Sequence, residues 1–494
     1  MSALASSSCA ISPFRRGEIL AIGFLLVGVA AVLVFRLGAA PPTVNAEERC
    51  WKVVSEMTRT GDWLVPRRDG KPFLNKPPLF YWAATAVSRM AGGASFTTLS
   101  LPSVLAALGL ILLTLYWACS IGGKSLAVAA TAFLALMWSL YEYGRLGTYD
   151  MLLSFLGNAA LVAFDRLYAS RNGRLLVLFF FLVLAAFLTK GPPAFLIVGL
   201  PTVLFLGFRR DLRLVLSPTV IGCTLVTLLF CLLWFIILIW RVPEAYDRFY
   251  SELVLPFGGQ MAHHTAAHYR SPLYYFSRVF AITWPACLLL PLAIWRGWQT
   301  GFWRDDPRLR FCAWISAGLF VGFSLFPQKR SYYLLPILTP LAILTADAVL
   351  WAIEGRAKPH WAWLGVPAAA AGAGVALLSV PVSLYLYILL RVPFVLVGTF
   401  SAILVSLGAA TVYLALQSRW KAAIGVFVLA FWSVSLVYFG SFLVWRDQFE
   451  TETVVQRPDY DETHWNRMKD RYAVVARIFR SKVKHEEEKD KPTP

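Results

Sequence analysis

The chain has 494 residues, of which 58% are hydrophobic and only 15% are charged, and its mean hydropathy is +0.61. Soluble proteins are about a quarter charged, so this composition excludes an ordinary water-soluble protein. Apolar runs long enough to cross a hydrocarbon core about 30 Å thick recur from residue 19 to residue 444. The sequence therefore predicts an all-α polytopic membrane protein.

The net charge is +18, and the basic residues fall mainly in short connections between apolar runs. That distribution is typical of topology determinants and of contacts with lipid phosphates. No basic stripe interleaved with aromatic residues lies on a soluble domain. We therefore expect these charges to contact membrane lipids, and we expect no nucleic-acid partner.

About thirteen transmembrane helices are predicted, at roughly 20 apolar residues for each. They fall near residues 18–38, 100–118, 126–142, 151–168, 174–188, 191–207, 217–240, 276–295, 310–326, 332–352, 362–386, 394–416 and 421–444. The apolar stretch 77–91 is too short to span and, with a helical pattern earlier in the same loop, predicts juxtamembrane helices.

The orientation follows from the connections. If the N-terminus is cytoplasmic, every second connection is cytoplasmic too, and the positive-inside rule requires these to be basic. Their basic residues are Lys124, Arg166, Arg171, Arg174, Arg209, Arg210, Arg213, Arg296, Arg304, Arg308, Arg310, Arg356, Lys358, Arg419 and Lys421. The extracytoplasmic side then holds loops 39–99, 143–150, 189–192, 241–275 and 327–333.

Two domains are expected from this arrangement. Residues 1–445 form the transmembrane domain, and residues 446–494 form a small extracytoplasmic tail. The tail ends in a run of mixed charge that is typical of disorder.

The first extracytoplasmic loop opens with two adjacent acids, Glu47 and Glu48, in a segment of helical pattern. Trp51, Val54 and Met57 share one face of that helix. An amphipathic helix beside the membrane explains this pattern. Acids crowded against an apolar surface also suit a general base, because burial and like-charge repulsion raise a carboxyl pKa toward working pH.

Asp150 stands at the predicted start of a span, with apolar sequence after it. Ionisable groups at membrane depth are costly and mark functional sites. The alternative is a helix N-cap at the water interface, a position at which Asp is favoured.

Two further loops carry cations at the same predicted face. Lys190 is followed at once by Gly-Pro, which fixes a tight turn, and a second loop contains Lys329, Arg330, Tyr332 and Tyr333. Cations and phenols so placed would clamp a phosphodiester. Snorkelling lysines and an aromatic belt at the membrane surface are the alternative explanation.

The second long loop contains His263, His264 and His268. The spacing of the last two would put two imidazoles on one helix face, which suits zinc. No HExxH pattern accompanies them, so a flexible loop with chance histidines is the alternative. The seven cysteines form no CxxC pattern, which argues against a zinc–thiolate site. We expect no required cofactor, with a divalent metal at the histidines as the alternative.

Short motifs follow one another along the chain in a recognisable order. They are Glu-Met (56–57), Gly-Asp-Trp (61–63), Asn-Lys-Pro-Pro-Leu-Phe-Tyr-Trp (75–82), Gly-Arg-Leu (144–146), Asp-Met (150–151), Thr-Lys-Gly-Pro (189–192), Pro-Leu-Tyr-Tyr (272–275), Trp-Pro (284–285) and Lys-Arg-Ser-Tyr-Tyr-Leu-Leu-Pro (329–336). In these motifs the sequence resembles the GT-C lipid-sugar glycosyltransferases of the aminoarabinose–lipid A transferase and protein O-mannosyltransferase type. The resemblance covers residues 40–340.

The resemblance implies an inverting glycosyltransferase, acting at the extracytoplasmic face of a bacterial inner membrane. A polyprenyl-phosphate donor would give its sugar to a hydroxyl or phosphate on lipid A, a protein or a glycan, without a nucleotide or an obligatory metal. The implied catalytic acids are Glu47, Glu48 and Asp150. The implied phosphate-binding residues are Arg49, Lys76, Lys190, Arg270, Lys329, Arg330 and Tyr333, and the implied aromatic lining residues are Tyr81 and Tyr332.

The first loop departs from the family pattern at one position. The family usually has Asp-Glu-x-Arg before the Glu-Met pair, and Ala46 stands where the Asp is expected. Glu47 then matches the Glu, whereas a shift of one residue makes Glu47 and Glu48 the acidic pair. The base is Glu47 or Glu48, or the catalytic role has moved or been lost.

Two other functions stay open on the sequence. A transporter or flippase would place ionisable residues near the bilayer midplane in paired halves. Here the charges gather in loops on one predicted face, and no internal repeat is present. A catalytically inactive homologue is the other alternative, because of Ala46.

Overall fold

The regular structure of the described residues is almost entirely helical in the computed structural model of the protein. The structure describes residues 15–39, 45–74, 76–242, 271–304, 306–326, 329–354 and 394–439, with 367, 370, 372–374, 377 and 379. The chain divides into two units, Met1–Val444 and Trp445–Pro494, and the described residues all belong to the first. The predicted tail, Arg270 and the three histidines of the second loop lie outside the described residues.

The α-helices of the described residues run in chain order. They are α1 (Arg16–Val34), α2 (Asn45–Thr60), α3 (Leu79–Met90), α4 (Phe96–Ala135), α5 (Trp138–Arg145), α6 (Tyr149–Ser170), α7 (Gly173–Lys190), α8 (Pro193–Phe208), α9 (Pro218–Arg241), α10 (Tyr274–Thr283), α11 (Leu290–Gln299), α12 (Pro307–Leu325), α13 (Leu338–Ile353), α14 (Phe394–Leu416) and α15 (Trp420–Val437). Short 3-10 helices lie at Leu212–Leu214, Ala286–Leu289 and Ser331–Ile337, and β1 (Arg67–Arg68) pairs antiparallel with β2 (Lys71–Pro72).

Among the described residues, eight helices are long and apolar enough to cross a membrane, or nine if one bent pair counts as a span. They are α1, α4, α6, α7, α9, α12, α14 and the continuous segment Ser331–Ile353. The predicted all-α polytopic membrane protein is therefore confirmed. The count of about thirteen spans, at roughly 20 residues each, stays a prediction.

Three predicted spans differ from the structure. The spans near 100–118 and 126–142 are joined in the 40-residue helix α4, which is kinked where Gly122 and Gly123 leave the helical conformation. The single span predicted near 276–295 is not straight, because α10 and the segment Ala286–Gln299 meet at an angle of 110° and form the bent pair. Pro285 lies at the break and has no N–H to donate to a helix.

Helix α4 lies at the centre and packs against α1, α3, α5, α6 and α13. Membrane helices associate through close packing and a few interhelical hydrogen bonds. Thr114 of α4 is 3.1 Å from the hydroxyl of Thr339 in α13, and the amide of Asn158 in α6 donates to the Pro336 carbonyl at 3.0 Å. The second bond ties α6 to the 3-10 helix that carries the paired tyrosines.

The first loop forms a small core of its own. Val54 and Met57 of α2 are buried against Phe80 and Tyr81 of α3, and Leu99 of α4 completes the cluster. The predicted apolar face of α2 is therefore confirmed. Because α4 contributes to this core, α2 and α3 are anchored beside the transmembrane helices.

A buried ion pair lies near the C-terminal end of α6. The Arg308 guanidinium forks onto the Asp165 carboxylate, with Nε donating to Oδ2 at 3.0 Å. Trp117 Nε1 donates to the same carboxylate at 3.1 Å, and Arg308 also donates to the hydroxyl of Ser120 at 2.7 Å. These groups are hydrogen-bonded on several sides, which is what a buried charge pair requires for stability.

Candidate active site

A buried ion pair joins the start of α6 to the end of α7. Asp150 lies in the first turn of α6 and Lys190 in the last turn of α7, and their side chains are hydrogen-bonded. The helix dipole favours an acid at the N-terminus and a base at the C-terminus, so the backbone stabilises both charges. The N-cap of α6 is Thr148. The alternative that Asp150 is an N-cap is therefore wrong.

Three tyrosine rings, Tyr149, Tyr332 and Tyr333, surround the ammonium of Lys190 and are called the tyrosine cage below. The Nζ atom lies 5.2, 4.6 and 4.9 Å from their respective ring centroids. Aromatic faces attract a cation through their quadrupole. With Lys190 only 8% exposed, the lysine is held inside the protein and does not snorkel to the surface.

A cavity of about 290 Å³ opens beside this ion pair. One end is polar and is formed by Asp150, Lys190, Tyr332 and Tyr333. The rest of the wall is apolar, and its residues are Leu153, Pro192, Pro193, Leu196, Ile197, Phe323, Phe326 and Pro336. A mainly apolar pocket with a few convergent polar groups is the usual form of a small-molecule site. The shape and polarity suit an anionic head group joined to a hydrocarbon chain.

Glu47 connects the first loop to the start of α6. Its side chain is 7% exposed, and its Oε1 accepts a hydrogen bond from the Gly147 amide at 2.7 Å. A Cβ atom on Gly147 would lie 2.5 Å from Leu99 Cγ, so only glycine lets the backbone approach this closely. Burial, followed by the charges of Asp150 and Glu47, raises the pKa of the Cys50 thiol on α2. The charges of both carboxylates therefore act on the Cys50 thiol.

Glu48 and Arg49 face away from the cluster. Both are exposed, and the Glu48 carboxylate lies 3.5 Å from the ammonium of Lys52, one turn along α2. The structure therefore buries Glu47 and leaves Glu48 in solvent, so the two acids do not form a crowded pair. Of the two alternatives for the first-loop acid, the structure brings Glu47 to the site.

Lys76 and Tyr81 lie on the same side of the molecule as Lys190. Pro77, next to Lys76, packs beside Gly191, where a Cβ atom would lie 3.8 Å from Pro77 Cγ. Gly191 has a φ of +85°, which favours glycine directly after Lys190. Tyr81 is 1% exposed and is hydrogen-bonded to Cys50. Tyr81 therefore belongs to the core of the first loop and does not line the cavity.

Lys329 and Arg330 have different surroundings. Lys329 is 3% exposed, its ammonium donates to the Phe326 carbonyl, and burial lowers its pKa. Arg330 is half-buried, and its carbonyl accepts a hydrogen bond from the Tyr275 hydroxyl at 3.1 Å. Neither residue lines the cavity as the described residues form it. The loop brings its tyrosines to Lys190, and the charge of Arg330 acts on both of them.

Several residues of the site were not predicted from the sequence. Tyr149 was overlooked although it directly precedes Asp150, and Gly147 was overlooked although only its amide is used. Tyr143 packs against Tyr332 with ring centroids 6.0 Å apart. Burial, followed by the charge of the adjacent Glu142, raises the pKa of Tyr143 to about 12. Their adjacency to the selected motifs was the available signal.

Within the described ranges, no group of three His, Cys, Asp or Glu side chains is placed to hold a metal ion. The predicted histidine cluster was not part of that search because it lies outside these ranges. The metal alternative therefore stays a prediction.

The described helices define a polytopic membrane protein, and its fold is similar to that of a solved membrane enzyme. ArnT from Cupriavidus metallidurans in the apo state superposes with a TM-score of 0.65 at 20% sequence identity, covering 87% of this chain and 77% of that one. The same protein bound to undecaprenyl phosphate gives a TM-score of 0.66 at 20% identity, covering 89% and 81%. At this identity the likeness shows the fold.

The sequence comparisons agree with that class. Residues 75–240 match the family described as dolichyl-phosphate-mannose-protein mannosyltransferase. Undecaprenyl phosphate-α-4-amino-4-deoxy-L-arabinose arabinosyl transferase of Aeromonas hydrophila is 31% identical over 328 residues, which are 63% of this chain and 57% of the relative. The protein of the same name from Shewanella sediminis is 29% identical over 326 residues, 63% of this chain and 56% of the relative.

The chain thus spans a little over half the length of the curated relatives it matches. The resemblance to lipid-sugar glycosyltransferases predicted from the motifs is confirmed. The protein is an integral membrane protein similar to these aminoarabinosyl transferases.

Proposed function

We propose that the protein is an inverting glycosyltransferase. It moves a sugar from a polyprenyl-phosphate donor to a hydroxyl or phosphate on lipid A, a protein or a glycan. The reaction takes place at the extracytoplasmic face of a bacterial inner membrane, with the N-terminus in the cytoplasm. The curated relatives carry undecaprenyl phosphate and aminoarabinose in their names, which supports this donor class.

The observation that carries the proposal is the cavity with Lys190 and Asp150 at one end and an apolar wall beyond them. A lipid phosphate would place its anionic oxygens at Lys190 and its first isoprene units along Leu196 and Phe323. The Lys190 ammonium would then donate charge-assisted hydrogen bonds to both Asp150 and the phosphate. Lys76, next to Pro77 beside Gly191, supplies a second cation from the first loop.

The chemistry follows from charge. An acceptor oxygen attacks the anomeric carbon, the bond from that carbon to the phosphate oxygen breaks, and the electron pair leaves with the polyprenyl phosphate. A carboxylate takes the proton of the acceptor. Because the donor is a phosphodiester and the released lipid phosphate is a monoester, negative charge grows on the phosphate during the reaction. A cation fixed at that phosphate stabilises the transition state more than the bound donor.

The proposed reaction needs neither a nucleotide nor a metal ion, since the lipid phosphate is already a competent leaving group. Positioning of donor and acceptor then contributes much of the rate enhancement. A transporter is less well supported, because Asp150 and Lys190 lie in the first and last turns of their helices. Transporter sites lie near the bilayer midplane.

The test measures transfer directly. The purified full chain in detergent is given undecaprenyl phosphate carrying labelled 4-amino-4-deoxy-L-arabinose, with lipid A as acceptor. In parallel, envelope lipids and glycans of cells with and without the gene are compared by mass spectrometry. We expect a gene-dependent pentose or hexose addition that disappears in Lys190→Gln and persists in Glu18→Gln, a half-buried glutamate in the first turn of α1. No gene-dependent addition in either assay would contradict the proposal.

A further inference from the structure

Among the residues that the structure describes, three carboxylates lie in or beside the candidate active site, and two of them are already engaged. Asp150 is paired with Lys190, and Glu47 accepts a hydrogen bond from the Gly147 amide at 2.7 Å. Each of these carboxylates stabilises the start of α6 or its contact with α7. A general base needs a carboxylate whose oxygen is available to the proton of the acceptor. Asp150 and Glu47 each hold one oxygen in a contact that shapes the site, and protonation of either carboxylate would weaken that contact.

Glu142 is the third carboxylate, and α5 sets its position. One turn before it, the Ser139 hydroxyl donates to the Ile282 carbonyl of α10 at 2.6 Å. Residues three apart on a helix share a face, so Glu142 lies at the edge where α5 meets α10. The next residue, Tyr143, packs on Tyr332 of the tyrosine cage, with ring centroids 6.0 Å apart. Glu142 therefore lies one residue from a phenol in contact with the cage.

The pKa of Tyr143 gives a second indication that Glu142 lies close to the tyrosine cage. Burial and the charge of Glu142 raise the pKa of Tyr143 to about 12, and the charge of Asp150 contributes in the same direction. A single phenol is thus in range of both carboxylates. The charges of Glu142 and Asp150 both act on Tyr143, which itself contacts the cage residue Tyr332.

Glu142 has no competing partner within the part of the chain that the structure describes. Its side chain is exposed, and no ion pair or hydrogen bond engages it. Arg145, one turn further on, instead donates to the carbonyls of Val32 and Leu33 at 2.7 and 2.8 Å. The neighbouring helices still displace water from one side of Glu142, and this partial burial raises the pKa of the carboxyl.

We propose that Glu142 is the general base of the transfer, and this inference rests on the proposed function. The Glu142 carboxylate takes the proton from the acceptor hydroxyl as the acceptor oxygen bonds to the anomeric carbon. The anomeric carbon–oxygen bond to the phosphate breaks, and the electron pair stays on the lipid phosphate beside Lys190. The protonated Glu142 then returns its proton to water.

Ala46 leaves α2 with Glu47 as its buried acid near this site. Glu47 then acts as a positioning residue through Gly147. The two glutamates are therefore separable by experiment, because glutamine can accept a hydrogen bond but cannot take a proton. Glu47→Gln keeps the bond to the Gly147 amide, whereas Glu142→Gln removes the base.

The experiment compares Glu142→Gln, Glu142→Asp, Glu47→Gln and the control Glu18→Gln in the full chain. Activity is followed as gene-dependent glycosylation in cells and as transfer by the purified protein. Affinity for undecaprenyl phosphate is measured separately by the quenching of tryptophan fluorescence. Loss of a general base lowers kcat by about 100-fold or more. We expect that loss in Glu142→Gln, partial activity in Glu142→Asp, and less than about tenfold loss in Glu47→Gln.

The affinity of Glu142→Gln for undecaprenyl phosphate should match that of the wild type, which separates lost chemistry from lost folding. If Glu142→Gln transfers sugar at the wild-type rate, Glu142 is not the base and the proposed function stands. The same conclusion follows if Glu142→Gln and Glu142→Asp lose activity and lipid binding together, since a structural role then explains both. If the wild type transfers no sugar at all, the proposed function and this inference both fail.

Discussion

Helix α6 carries a buried acid–cation pair near each of its ends, and the two pairs are built differently. Asp150 and Asp165 are 15 residues apart, or about 22 Å along the helix axis at about 1.5 Å per residue. At one end Asp165 meets an arginine whose fork is filled by carboxylate and Ser120 oxygens. At the other end Asp150 meets Lys190, which is otherwise surrounded by tyrosine rings and opens to a cavity.

The difference indicates that the Asp165–Arg308 pair is structural, whereas the lysine of the Asp150–Lys190 pair has donors for a further ligand. A planar arginine fork with all three of its nitrogens bonded is locked in one geometry, whereas a lysine ammonium is a compact point charge with rotatable donors. Aromatic faces stabilise the lysine charge without occupying its hydrogen bonds. The pair at Asp150 can therefore accept an anionic ligand, and the pair at Asp165 holds helices together.

The largest expected effect lies at Lys190. Lys190→Gln keeps a hydrogen-bond donor for Asp150 but removes the charge that stabilises the growing negative charge on the phosphate. Removing a preorganised electrostatic group costs about 10²–10³-fold in kcat. We expect this loss in labelled-sugar transfer by the protein that remains folded, together with a lower melting temperature than that of Glu18→Gln, because Asp150 loses its buried partner. A drop in stability with unchanged activity would show that the Asp150–Lys190 pair has only a structural role, like the Asp165–Arg308 pair.

The second prediction breaks the opposite pair. Arg308→Ala leaves Asp165 buried without its partner, and losing one member of a buried pair costs about 3–5 kcal/mol. We expect a large fall in thermal stability in detergent, measured by tryptophan fluorescence, while the fraction that remains folded binds undecaprenyl phosphate normally. The control is Arg171→Ala, whose partner Asp211 is about one-third exposed. Selective loss of lipid binding in Arg308→Ala would contradict the structural assignment.

The third prediction concerns pH. Burial raises the pKa of Glu142 above its ordinary value of 4.5, and a base works only when ionised. The transfer rate should therefore fall as pH drops through the raised pKa, by about tenfold per unit below it for a single ionisation. Glu142→Gln should lack this acid limb at its lower rate. An identical limb in both proteins would assign the titration to another group.

The smallest effect is expected on the outer side of α2. Glu48 is exposed and pairs with Lys52 at 3.5 Å, and exposed ion pairs contribute about 0–1 kcal/mol. Glu48→Gln should leave transfer and melting temperature within experimental error of the wild type. A loss of activity comparable with that of Lys190→Gln would return Glu48 to the list of catalytic acids.

Much of the fold was predictable because membrane helices obey a simple length requirement. Apolar runs of about 20 residues predicted most of the helices, and the apolar face of α2 was readable from Val54 and Met57. The break at Pro285 was not predicted, because hydropathy measures how apolar a segment is and carries no information on its direction. The kink at Gly122 and Gly123 was missed for the same reason.

The site was predictable in part. Asp150, Lys190, Tyr332 and Tyr333 were all chosen from short motifs, and the structure brings them together. Glu47 and Glu48 were indistinguishable in sequence, because adjacent helical residues differ only in the direction they face. Lys329 and Arg330 were chosen with the tyrosines after them, and of these four residues Tyr332 and Tyr333 line the cavity that the described residues form.

The amino-acid sequence by itself determined that this is a membrane protein. It also determined which polar residues lie at the ends of apolar helices. Burying an unpaired charge in hydrocarbon is costly, so hydropathy alone restricts where such residues occur. Only the tertiary structure decided which charges become partners: Asp150 with Lys190, Asp165 with Arg308, and Glu142 with none among the described residues. Pairing depends on packing between helices distant in sequence, and local composition does not encode those distances.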